Sequence, residues 1–164
     1  MGRRDPRRGD RPDPLRTENA RGGWPHLTVL IDTGVLVGFH NRQDVNHSDA
    51  LRLVSSIAGG EMGPAYTTDY VFDEAVTVAL VRTKRSDVAV ALGKLILGQD
   101  TPSFIEILNV DEETFSNAWT LFKRYSERGL SFTDCASLAM MENRRIDRIA
   151  SFDAGFDGIT SRVA

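Results

Sequence analysis

The stretch "LTVLIDTGVLVGF" (residues 27–39) decides how the fold is read. Residues 28–32, TVLID, are apolar and β-branched, the composition of a strand covered on both faces. The run stops on an acid, Asp32, and then turns apolar again. A carboxylate at the end of such a strand sits where burial is partial and costly, so a specific use for it is expected.

Downstream, strand and helix signals alternate. "NHSDALRLVSSIAGG" (46–60) opens on capping residues, places Ala50, Leu51, Val54 and Ile57 at helical spacing, and stops at Gly59 and Gly60. "PAYTT" (64–68) has the length of a strand. "DYVFDEAVTVALVR" (69–82) and "SDVAVALGKLIL" (86–97) read as helices, the second starting from a Ser-Asp cap. "SFIEILNV" (103–110) reads as a strand. "DEETFSNAWTLFKRYSER" (111–128) is a helix with acids in its first turn and bases towards its end, as the helix dipole favours. "TDCASLAMMEN" (133–143) is a short helix and "DRIASFD" (147–153) a strand. Strands separated by helices predict an α/β chain: a three-layer α/β/α sandwich with a mainly parallel central sheet. Ligands of such sheets bind outside the carboxyl ends of the strands. Asp32 ends the first strand and Asp153 the last clear one, so both acids are expected on one rim.

Length and composition narrow the class. With 164 residues, one domain of ordinary size is expected. The hydrophobic share of 41% allows a real core, and no run approaches the roughly 20 apolar residues of a membrane helix. The first 25 residues have no apolar h-region of a secretory signal. Cys135 is the only cysteine, which excludes an intrachain disulfide and a zinc site built on several thiolates; a reducing cytoplasm is the simplest setting. Residues 1–23 hold seven Arg against Asp5, Asp10, Asp13 and Glu18, a balance of +3, which leaves −6 for residues 24–164 of a chain whose total is −3. This Arg/Pro/Gly-rich leader has no hydrophobic period and reads as disordered, a solvated extension or an arm that touches nucleic acid. The folded domain is expected over residues 24–164.

Each acid has a plain structural role open to it. Asp32 and Asp153 could each bond the backbone two residues on, closing a turn after a strand. "SFTD" (131–134) fits the capping pattern that opens helices, so Asp134 could serve backbone donors alone. On a helical wheel with Val71 at 0°, Asp73 falls near 200°, on the polar side, whereas Glu74 falls near 300°, between Val81 and Val78. Of these two acids, Glu74 is the one aimed at a site.

Taken together, the four acids share no structural reason to converge. If they do, their carboxylates repel, and some stay protonated to abnormally high pH unless a cation intervenes. An oxygen-only cluster suits Mg²⁺ or Mn²⁺. Such ions position and activate a water and steady the charge that builds on a phosphodiester under attack.

With "VLIDTGVLV", "DYVFDEAVTVAL", "LSFTDCASLAMMEN" and "RIASFDAGFD" in this order and spacing, residues 27–157 resemble a PIN domain, most closely a toxin ribonuclease of the VapC type. The resemblance implies a metal-dependent endoribonuclease with a parallel sheet between helices. It implies Asp32, Glu74, Asp134 and Asp153 as catalytic residues and ligands of Mg²⁺ or Mn²⁺, with 5′-phosphate and 3′-hydroxyl products from an RNA substrate. Asp157 matches a further acid that varies in the family. Thr33, Thr133 and Ser151 sit where supporting hydroxyls are often found, whereas Gly34 stands where many relatives carry Ser, Thr or Asn. The resemblance also implies a homodimer, and a cognate antitoxin that often sends an Arg into the acidic pocket.

RNA bound at an acidic centre needs basic residues nearby. Arg82, Lys84 and Arg85, or Arg144, Arg145 and Arg148, could line a groove; the ordinary reading is charge at helix ends facing water. Cys135 reads as packing rather than nucleophile. His26, His40 and His47 lack zinc-site spacing, and Phe115, Trp119 and Phe122 recur at helical intervals that favour core over base stacking. Two other functions compete. A haloacid-dehalogenase-like phosphatase wants a second acid two residues after Asp32, where Gly34 stands. A catalytically silent PIN-like module would bind RNA or a protein without cutting.

Overall fold

The computed structural model describes residues 27–164. The leader expected over residues 1–23, and His26, lie outside the described residues. Five strands and six α-helices follow one another as β1 (Val29–Ile31), α1 (Thr33–His40), α2 (His47–Ala58), β2 (Ala65–Thr68), α3 (Asp69–Thr83), α4 (Ser86–Leu97), β3 (Ile105–Leu108), α5 (Glu112–Tyr125), α6 (Phe132–Arg144), β4 (Arg148–Ala150) and β5 (Arg162–Val163).

The sheet order is β3-β2-β1-β4-β5, and every pairing is parallel. Alternation along the strands divides the core between two helical layers. Val29, Ile31, Ala65, Ile105 and Ala150 pack with residues of α1 to α4. Leu30, Tyr66, Leu108 and Ile149 pack with Cys135, Leu138, Met140 and Met141 of α6 and with Leu121 and Phe122 of α5. Helices thus cover both faces, which is why β1 can be apolar at each of its positions, all fully buried.

This order has one reversal point. From β1 the chain moves outward to β2 and β3, then returns through α5 and α6 to place β4 on the other side of β1. A crevice forms at the carboxyl ends of two strands whose connections leave in opposite directions. Here those strands are β1, which leads into Asp32, and β4, which leads into Ser151 and Asp153.

Several local expectations are corrected. The apolar stretch after Asp32 is a helix: Asp32 takes an extended backbone (φ −85°, ψ 161°), and its Oδ1 accepts the Thr33 N–H at 2.7 Å. In α2 the buried positions are Ala50, Leu53, Val54 and Ile57, whereas Leu51 is exposed, because the buried face is centred between Ala50 and Ile57 and takes in Leu53 on the side away from Leu51. Helix α4 is not capped by Ser86; its N-cap is Arg85, whose guanidinium instead pairs with Asp87. Phe115 and Trp119 of α5 are 47% and 50% exposed, so they are not core; only Phe122 of that series is packed inward. Helix α5 can cross α6 closely because the contact is made by Ala118, Ala136 and Ala139.

Candidate active site

Three connections bring the starts of α1, α3 and α6 and the end of β4 to one place. The Thr33 hydroxyl, at the start of α1, donates to Glu74 Oε2 of α3 at 2.8 Å. Tyr70 in the first turn of α3 and Phe132 in the first turn of α6 lie 6.1 Å apart, ring centre to ring centre. The Ser151 hydroxyl, just past β4, donates to Asp32 Oδ2 at 2.7 Å and accepts the Asp153 N–H at 3.0 Å. Asp32, Glu74, Asp134 and Asp153 therefore all belong to elements that meet at the carboxyl rim of the sheet, at its reversal point.

Their charges interact. Burial pushes the Asp32 carboxyl up from 3.8 to about 7; the Ser151 hydrogen bond opposes that rise, while the charges of Asp134 and Glu74 add to it. Asp134 is likewise raised, chiefly by burial, with Ser131 opposing and Glu74 and Asp153 adding repulsion. The wheel's distinction holds: Glu74 is half-buried in this group and Asp73 is exposed. Its neighbour on the wheel, Val81, is nevertheless 56% exposed, one end of α3 lying beyond the core.

Two of the acids, Asp134 and Asp153, also fill the plain role open to them, whereas Asp32 bonds the N–H of the next residue rather than one two residues on. Asp134 completes a capping box with Ser131, its Oδ2 accepting the Ser131 N–H at 2.6 Å while Ser131 Oγ accepts the Asp134 N–H at 3.1 Å. Asp153 Oδ1 accepts the Gly155 N–H at 2.7 Å. Among the described residues, no three His, Cys, Asp or Glu side chains stand as a closed metal-holding group. The four acids share a rim and a field, with their oxygens turned towards local donors. The donor set still fits a hard divalent ion: the groups are carboxylates and hydroxyls, and a buried carboxyl such as Asp32 ionises more readily beside a cation.

Around the acids, Thr133 joins Asp69, Tyr70 and Asp73 in lining an open cleft of about 300 Å³. Gly34 is exposed in the first turn of α1, and a Cβ there would meet only Asp32 Oδ2, at 4.0 Å. Asp157 is tied up by Arg162, whose Nε and Nη2 donate to its two oxygens at 2.7 and 3.0 Å. Sequence patterns gave no sign of Arg162, which belongs to a strand of only two residues.

The basic residues singled out earlier lie elsewhere. Helices α3 and α6 start at the rim, so at 1.5 Å per residue their ends stand roughly 20 Å from it. Arg82 lies in the last turn of α3 with Lys84 and Arg85 just beyond it, and Arg144 ends α6 with Arg145 and Arg148 following. Arg82 is bonded to Asp44 there. On the rim side, Arg128 donates to the Asp157 carbonyl at 2.9 Å and stacks on Tyr125.

The fold and this acidic rim define a member of the PIN domain family: the sequence profile of the PIN domain matches residues 29–160, and the chain belongs to that family. It is 29% identical over 131 residues to a VapC ribonuclease of Archaeoglobus fulgidus, covering 79% of this chain and 80% of that one. It is 28% identical over 128 residues to the 23S rRNA-specific endonuclease VapC20 of Mycobacterium tuberculosis, covering 78% and 91%. The crystal structure of VapC20, a Sarcin-Ricin loop cleaving toxin, superposes with a TM-score of 0.68 at 26% identity over 80% of this chain and 94% of that one. A toxin–antitoxin complex from Klebsiella pneumoniae shares the fold at a TM-score of 0.56 and 18% identity, over 83% and 96%.

Proposed function

We propose that the chain is an Mg²⁺- or Mn²⁺-dependent endoribonuclease, the toxin of a toxin–antitoxin pair, which hydrolyses RNA phosphodiester bonds in the cytoplasm. The observation that carries this reading is the meeting, at the reversal point of a PIN-family sheet, of the buried Asp32 held by Ser151, of Glu74 held by Thr33, and of the first turn of α6 with Asp134 and the loop with Asp153. Its similarity to ribonucleases over about four-fifths of its length supports the same reaction.

A divalent ion, when bound by these acids, supplies a means to activate water and to offset charge on the phosphate. The chain's own residues divide the remaining work. Ser151 and the Thr33 N–H hold the buried Asp32 carboxylate in one orientation, and the Thr33 hydroxyl does the same for Glu74. Asp153 is exposed at the mouth, where a phosphodiester would arrive first. Arg128, bonded beside Asp157, would attract the RNA backbone more directly than the basic residues at the far helix ends. The half-exposed Phe115 and Trp119 suit the face of a homodimer. The acidic rim suits an arginine delivered by an antitoxin, since guanidinium and carboxylate bond bidentately.

A silent binding module remains the second reading, favoured by the caps that already occupy Asp134 and Asp153. Incubating the purified chain with RNA separates the two. Cleavage that needs Mg²⁺ or Mn²⁺, stops in chelator and is abolished in Asp32→Asn supports the nuclease; RNA binding with no cleavage under any metal supports the module.

A further inference from the structure

Asp157 lies four residues beyond Asp153, at the same end of the sheet, and invites assignment as a fifth ligand. Its surroundings say otherwise. Both of its oxygens are engaged by one guanidinium, Arg162 Nε to Oδ1 at 2.7 Å and Nη2 to Oδ2 at 3.0 Å. The third bond of that guanidinium, from Nη1, runs 3.1 Å to the carbonyl oxygen of Ser151. The Ser151 N–H in turn donates to the Val163 carbonyl at 3.0 Å, so β5 grips Ser151 from both sides of its peptide. Ser151 is fully buried, and its hydroxyl is the group that holds Asp32 and receives the Asp153 N–H.

We propose, resting on the nuclease reading above, that Asp157 and Arg162 form one positioning unit: Asp157 seats Arg162, Arg162 fixes Ser151, and Ser151 sets Asp32 and Asp153 relative to each other. Asp157 is then no ligand of the ion. The chemistry favours this division. Arg162 has only 21% of its side chain exposed, so releasing Asp157 to a metal would strand a largely covered cation. A planar fork that makes two parallel bonds to a carboxylate and a third to a carbonyl is a task for arginine; an ammonium makes no such set. Arg128 adds a bond to the Asp157 carbonyl, which holds the turn in place from outside. Arg162 also holds the Asp157 carboxyl below the usual carboxylate range, so it remains a full counter-charge.

The test compares full-length Arg162→Gln, Arg162→Lys, Asp157→Asn and the double variant Arg162→Gln/Asp157→Asn with wild type. Mn²⁺ binding is measured by calorimetry, RNA cleavage as kcat and KM, and folding by circular dichroism and thermal melting without metal. Supporting partners of ligands typically contribute about tenfold in affinity or rate. Arg162→Gln and Asp157→Asn are each expected to weaken Mn²⁺ binding by about that factor and to lower kcat more than they raise KM. The double variant should be no worse than either single one, and Arg162→Lys should fall with Arg162→Gln. If Asp157→Asn weakens Mn²⁺ binding while Arg162→Gln does not, Asp157 is a ligand and the inference is overturned. It is also overturned if only melting temperatures change. Should one variant fail to fold, the Arg162→Lys comparison with Asp157→Asn decides the same question. A wild-type chain that binds no Mn²⁺ rejects the nuclease reading itself, an outcome distinct from the others.

Discussion

The Ser151 hydroxyl and the Asp32 carboxylate meet at 2.7 Å although 119 residues separate them. This bond ties the two strands that flank the sheet's reversal point, β1 and β4, and is the one side-chain hydrogen bond between the acid that ends the first and the loop that carries Asp153. It has a measurable consequence. In Ser151→Ala, Asp32 Oδ2 loses its donor in a buried place, and the loss should cost about 1–3 kcal/mol of stability at neutral pH. Because that bond holds the Asp32 carboxyl down, its removal should also move the acidic limb of the RNA-cleavage profile to higher pH. Chemical denaturation and a pH–rate series check the two parts separately.

The pH dependence of the metal-free chain follows from Asp32 itself. Its folded pKa, about 7, lies above the ordinary 3.8, so between these values the folded chain keeps a proton that the unfolded chain has lost. This contribution to stability is therefore complete below about pH 4 and is lost as pH rises through about 7, a change on the order of 4 kcal/mol at 1.36 kcal/mol per pH unit. Asp32→Asn removes the titration. Its stability advantage over wild type should widen between pH 5 and pH 8 in chelator, which melting curves at the two pH values will show.

Cys135 is fully buried, and burial pushes its thiol up to about 11. Iodoacetamide should leave it unmodified in the native chain and alkylate it in denaturant, as read by intact mass. Fast native labelling would mean that α6 opens readily, and Asp134 with it.

Ser137 lies one turn after Asp134, fully buried, and its hydroxyl is the one buried side-chain polar atom without a partner among the described residues. Ser137→Ala should raise stability by about 1 kcal/mol, since an unsatisfied buried hydroxyl is removed and helix propensity improves. Unchanged or lower stability in a denaturant titration would mean that the hydroxyl has a partner in solution.

The sequence was legible where physical signals were repeated. Capping residues and glycines bounded α2, a capping pattern opened α6, the charge gradient marked α5, and a β-branched apolar run marked β1. Helix α1 escaped notice because it is eight residues long and Thr33, Val35, Leu36, Val37 and Gly38 are all buried, so it has no polar stripe to set a period. A two-residue strand such as β5 carries no alternation at all. Periodicity put Phe115 and Trp119 on one side of α5 and could not say whether another layer covered it. The rim acids were readable because a parallel sheet fixes where strand ends lie; the hydroxyls of Thr33 and Ser151 came from family likeness, and their partners only from the fold. The basic residues at the ends of α3 and α6 match the ordinary reading, helix-end charge facing water; the sequence could not choose between that and a groove, because the distance of a helix end from the rim depends on helix direction.

The most direct measurement is a crystal structure of the chain soaked in Mn²⁺, phased on the manganese signal. The account predicts an ion on the carboxyl rim within about 2.0–2.3 Å of carboxylate oxygens from Asp32 and at least two of Glu74, Asp134 and Asp153. It also predicts that Asp134 or Asp153 will have turned from its local donor, and that Asp157 will still be paired with Arg162. Manganese bound only elsewhere, or absent while all four acids keep their present bonds, would contradict it.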